Sequence, residues 1–153
     1  MSSSVTDTDR GYAKMIESLD LMKDLEVTIG IHEEEGAGDE GNGRTVAEIA
    51  EANEFGLGVP PRPAITGWAD ENRDAFVTRM REQSEAALKA RVSPAQRLDA
   101  LAQVGAGEVQ ARVAGGVPPP NAPSTIARKG SSTPLIDKDQ FRSSIRGKAG
   151  PKK

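Results

Sequence analysis

The apolar positions change period several times along the chain, and each change predicts an element. From Asp9 to Asp24 the residues Tyr12, Met15, Ile16, Leu19 and Met22 recur three or four apart, which predicts an amphipathic helix capped by Thr8 or Asp9. At Leu25 the period becomes two. Leu25, Val27, Ile29 and Ile31 alternate with Glu26, Thr28, Gly30 and His32, the pattern of a half-buried strand. Glu33 to Gly43 is acidic and glycine-rich and predicts a flexible loop at a hairpin tip. Thr45-Val-Ala-Glu48 reads as a capping box, opening a helix that buries Val46, Ile49, Ala50 and Phe55 and stops at Gly56.

Leu57 to Pro63 must be extended, because each residue before a proline is pushed out of the helical region. A short strand at Ala64–Thr66 is expected next. A long helix then runs from Gly67 or Trp68 to Ala90, with Phe76, Val77, Met80 and Ala87 inward. Ser93-Pro94-Ala95-Gln96 is a strong helix start. Its helix carries the stripe Leu98, Leu101, Ala102, Val109 and Val113 and ends at Gly115-Gly116. Val117 to Pro123 predicts a semi-rigid polyproline spacer. A helical turn at Ser124–Lys129, a loop through Pro134, a helix near Lys138–Ile145 and a basic tail from Gly147, which leaves the sheet one strand short or pairs with a neighbouring protein, complete the chain.

These elements predict an α+β fold: a small antiparallel sheet packed by two long helices, with an extended C-terminal docking arm. The expected divisions are a flexible N-terminus at 1–8, an α+β core at 9–117, a proline-led arm at 118–145 and a basic tail at 146–153. Hydrophobic residues are 36% of the chain and aromatics 3%, so the core must be small and aliphatic, with assembly contributing part of the stability. Charge is uneven. Residues 123–153 carry +6 and the remainder −9, which favours head-to-tail contact between copies or an acidic neighbour. Nucleic acid is a weaker expectation, since no aromatics are interleaved for base stacking. Without cysteine there is neither a disulfide framework nor a thiolate metal site. The polar N-terminus lacks a signal-peptide core and no apolar run is long enough to span a membrane, so synthesis in the cytoplasm is expected.

Catalytic signatures are missing from the sequence. His32 is the single histidine and sits beside Glu33, Glu34 and Glu35, a run whose spacing suits a solvated or structural histidine better than a metal site. The acidic stretch lacks the alternating ligands of a calcium loop. No Gly-x-Ser-x-Gly elbow and no phosphate-cradling loop occur. The expectation is a non-enzyme without cofactor or metal. Arg62, held between Pro61 and Pro63, offers a guanidinium from a rigid segment, either to Glu54 or Asp70 within the chain or to a carboxylate of a neighbouring subunit. Arg128-Lys129-Gly130 fits either a helix terminus or a docking role. Leu135, Ile136, Phe141 and Ile145 form an apolar face that either closes the core or packs on a neighbour.

Two ordered runs carry a family resemblance. Thr45 to Gly56, ending Glu-Phe-Gly, is followed by Pro60-Pro-Arg-Pro63; downstream come Arg128-Lys-Gly130, Pro134-Leu-Ile-Asp137 and Gln140-Phe-Arg-Ser-Ser-Ile145. In order and spacing, over roughly residues 25–145, these resemble the tail-completion (head–tail joining, or neck) proteins of long-tailed bacteriophages. The resemblance implies a structural virion protein at the neck, commonly a sixfold ring, contacting the tail tube or tail terminator and the head connector. The resemblance also implies passage of genomic DNA through such a ring without specific recognition. It also implies an assembly interface at Arg62, Arg128, Lys129, Leu135, Ile136, Phe141, Arg142 and Ile145. Three departures stand out: Ala64 where the family often has an aromatic, Lys138-Asp139 before Gln140, and a glycine- and proline-bearing end that is not expected to form the family's closing strand. A tail terminator or other minor neck or tail subunit is the alternative within this class. From another class, a small nucleic-acid-binding or regulatory protein remains.

Overall fold

In the computed structural model, residues 11–37, 43–90, 92–129 and 140–152 are described. Helix α1 spans Tyr12–Lys23 and leads through Asp24 into strand β1, Leu25–Ile31. A helical turn α2, Glu33–Gly36, follows, then α3, Val46–Phe55. The two long helices are α4, Ile65–Ala90, and α5, Pro94–Ala114. The chain closes with α6, Pro123–Lys129, α7, Gln140–Ser144, and strand β2, Ile145–Pro151. The α+β class holds: a two-stranded antiparallel sheet lies against the long helices.

The sheet corrects the expectation for the C-terminus most clearly. The end that was not expected to form a closing strand does form one: β2 pairs with β1 from Leu25↔Pro151 through Ile31↔Ile145. Gly147 and Pro151 weaken strand propensity on paper, yet each fits its place. A Cβ at Gly147 would stand 1.9 Å from the Ala102 carbonyl oxygen, so only glycine lets the strand lie directly on α5. Pro151 occupies a position whose amide nitrogen points away from β1. The hydrogen-bonded pairs are the even-numbered residues of β1, as the bond from Lys152 N–H to Asp24 O (2.7 Å) shows. No donor is lost.

Phe141 and Ile145 are buried in the core, 4% and 0% exposed, beside Trp68, Phe76, Leu101, Val109 and Val113. The end of the supposed docking arm therefore closes the chain's own core. Val27, Ile29 and Ile31 pack against this cluster from β1. Gly105 provides the space: a Cβ there would meet Ile29 Cδ1 at 2.4 Å and Phe76 at 2.9 Å. The rings of Trp68 and Phe76 meet edge-on at 5.5 Å.

Other local expectations are adjusted. The α3 capping box forms, with Glu48 N–H on Thr45 Oγ1 (3.2 Å) and Thr45 N–H on Glu48 Oε2 (2.7 Å). The Ala64–Thr66 segment forms no strand: Ala64 precedes α4, and Ile65 and Thr66 open it. Ser93 precedes α5 without a side-chain capping bond, leaving Pro94 in the first turn as the start signal. The acidic stretch is no hairpin tip, because β1 pairs with the far end of the chain. Glu34 and Glu35 instead hold Lys148 of β2 at 2.8 and 3.2 Å, which raises the lysine's pKa, and part of the charge asymmetry is met within one chain.

Candidate docking surface at the α3–α4 corner

The corner between α3 and α4 is locked from three sides. Gly56 ends α3 in a left-handed conformation, φ 75°, and Pro61 lies against it so closely that a Cβ would meet the ring at 3.2 Å. Glu54 turns its carboxylate onto the start of α4 and accepts from the backbone N–H groups of Ala64 (2.8 Å), Ile65 (2.9 Å) and Thr66 (2.6 Å). It thereby satisfies three of the donors that a helix start leaves without partners, and puts negative charge at the positive end of the dipole.

Arg62 supplies the third lock. It is 7% exposed, donating from Nε to Pro119 O (2.8 Å), from Nη2 to Pro120 O (3.3 Å), and more distantly to Asn53 Oδ1 (3.5 Å). Its backbone N–H bonds Asn53 O at 2.6 Å. The guanidinium is thus used inside the chain, tying the corner to the proline run, and neither Glu54 nor Asp70 is its partner. Within the single chain Arg62 is an internal lock, with backbone carbonyls as its partners, rather than an exposed contact.

Between these locks the tip itself faces outward. Phe55 is 65% exposed and Leu57 54%, with Val59 beside them. Phe55 was expected inside; the helix ends one residue later, and its ring falls on the open side. A large aromatic held on a rigid turn carries little ordering cost into a contact, as interface anchors require.

A second open apolar surface lies on α1. No residue of this helix is buried, and Tyr12, Met15, Ile16, Leu19 and Leu21 are all exposed. Between α1 and the α4–α5 turn runs a groove of about 680 Å³, bordered by Met15, Leu21, Leu88, Val92 and Pro94. The stripe legible in the sequence is therefore present, but it faces outward.

Of the other residues expected at an interface, Arg128 and Lys129 close α6, Arg142 is half-buried on α7, and Leu135 and Ile136 lie outside the described residues. Phe141 and Ile145 belong to the core. His32 Nε2 pairs with Thr28 Oγ1 at 2.9 Å, and among the described residues no group of histidine and carboxylate side chains could hold a metal ion. Glu108 forms a polar bridge between the long helices. It accepts from Trp68 Nε1 (3.1 Å) and Arg79 Nη1 (2.6 Å), and Arg79 holds its carboxyl below the usual carboxylate range. Glu54 is the structural residue that sequence reasoning placed wrongly. Its position eleven residues before the start of α4 carries no pattern that distinguishes a cap from an ion pair. Compared with protein-family models, curated proteins and solved structures, the chain finds no match.

Proposed function

We propose that the chain is a structural subunit of a bacteriophage neck, which completes the tail and joins it to the head connector as a ring of identical copies. The ordered motifs of the sequence favour this, and one structural observation carries it further. The residues bearing the first motif divide into those that lock the α3–α4 corner (Glu54, Gly56 and Arg62) and Phe55, which the lock leaves 65% exposed. A corner so heavily bonded, with an aromatic exposed at its tip, suits docking. The role needs no cofactor and no catalytic group.

A nucleic-acid role for the basic end is less favoured. Lys148 is engaged by Glu34 and Glu35, Arg146 donates to the carbonyls of Ser143 and Ile145, and Lys152 Nζ donates to Lys23 O. These cations are held in the fold rather than presented along a groove.

The test is negative-stain microscopy of lysates from a phage or prophage carrying this gene with an early stop codon. Full heads lying apart from finished tails support a joining role, and overlong tails indicate a terminator. Normal infectious particles overturn the proposal.

A further inference from the structure

The two edges of the sheet are treated differently. Along the outer edge of β2, α5 supplies partners: Ala149 N–H donates to Asp99 Oδ1 (3.1 Å), and Ile145 O accepts from Gln110 Nε2 (2.9 Å). These bonds also fix which groups of β1 point where. Val27 and Ile31 face Ala149 and Ile145, so they too turn their backbone groups away from the pairing, as does Ile29 opposite Gly147. Among the described residues, no hydrogen-bond partner meets the outward N–H and C=O of Val27, Ile29 or Ile31. No residue of β1 is fully buried. The strand also lacks the usual edge defences: it contains no lysine, no proline and no bulge.

We propose that this edge pairs with the same edge of a second copy, antiparallel and centred on Thr28, to give a four-stranded sheet of order β2-β1-β1-β2. Three features of β1 select a second copy over an unrelated strand. First, a twofold axis at Thr28 sets Val27 opposite Ile29 of the second copy and Leu25 opposite its Ile31, so aliphatic meets aliphatic along the row that continues the core. Second, these are the residues whose backbone groups point outward, so this register satisfies the free donors and acceptors. Third, no like charges face one another. Glu26, the one charged residue of β1, falls opposite Gly30 of the second copy, which has no side chain. Beyond that glycine lies Arg146, the β2 partner of Gly30, within reach of the carboxylate. A twofold pair does not fit into an axial ring, so the pair is the form of the free chain. It stands or falls separately from the neck role, which the microscopy tests.

The test uses the full chain, whose lack of cysteine allows single thiols to report the register. Thr28 is exposed, and a side chain at Gly30 would meet nothing within 4 Å, so both sites accept cysteine. In the proposed register the two Thr28 positions form a non-hydrogen-bonded pair with Cα atoms about 4.5 Å apart, within disulfide range. Two copies of Gly30 lie about 13 Å apart, which is too far. Light scattering should give twice the 16.2 kDa chain mass for the unmodified protein. Mild oxidation should link the Thr28→Cys protein to itself, and a mixture of the Glu26→Cys and Gly30→Cys proteins to each other. Neither of the latter should link to itself. A monomer at every concentration overturns the proposal, as does self-linking of Gly30→Cys as fast as Thr28→Cys.

Discussion

Gly147→Ala should unfold much of what the C-terminal strand contributes. The added Cβ would lie 1.9 Å from Ala102 O, 2.2 Å from its carbonyl carbon and 2.8 Å from Gln103 N. All three atoms belong to the backbone of α5, so no side chain can turn aside. Ordinary contact lies near ~3.5 Å, so β2 must lift by about 1.5 Å. Overpacking of this kind costs roughly 1–3 kcal/mol. Lifting the strand also breaks the flanking bonds from Ala149 N–H to Asp99 and from Gln110 to Ile145 O, each worth about 1 kcal/mol. The total is about 3–5 kcal/mol, a large part of the roughly 5–15 kcal/mol typical of a domain. At this chain length it corresponds to a fall in Tm of about 6–20 °C. Urea and thermal unfolding followed by circular dichroism measure it. Gly150→Ala is the control, because its Cβ meets nothing within 4 Å and it should stay within about 1 kcal/mol of the unmodified protein. If Gly147→Ala unfolds at the same urea midpoint as the unmodified protein, the strand does not lie on α5 as described.

Two further perturbations address the corner and the helix pair. Arg62→Ala leaves the Pro119 and Pro120 carbonyls without their donor and should cost about 1–3 kcal/mol in urea unfolding, with Arg62→Lys recovering only part, since an ammonium lacks the planar fork that reaches both carbonyls. Glu108 is held below the usual carboxylate range by Arg79, and Trp68 adds to this, so its contribution is present above the unfolded-state pKa and lost as pH falls through the lowered folded value. Stability measured by urea unfolding should therefore decline on acidification, and Glu108→Gln should flatten that decline.

How much of this was legible in the sequence depends on whether an element's partner is close in the chain. The α3 capping box, the Gly56 stop, the Pro94 start and the alternation of β1 are local signals, and all of them appear in the fold. The partner of β1 was not legible, because it lies more than a hundred residues away in a segment whose Gly147 and Pro151 count against a strand. Only the packing on α5, and the direction in which the Pro151 nitrogen points, explain those residues. Arg62 was visible as a rigidly held guanidinium, yet its partners are backbone carbonyls, which no side-chain pattern announces. Phe55 marks the opposite limit: periodicity cannot say whether the last residue of a helix turns inward.

The most direct measurement is complementation of the stop-codon phage by the Phe55→Ser, Leu57→Ser variant, scored as joined particles in the microscope. Both side chains are more than half exposed, so the variant should fold, with unfolding shifted by no more than about 1 kcal/mol. A neck subunit docking through this corner predicts joined, infectious particles with the unmodified gene, but separate heads and tails with the folded variant. Full joining by the variant would contradict docking through the α3–α4 corner.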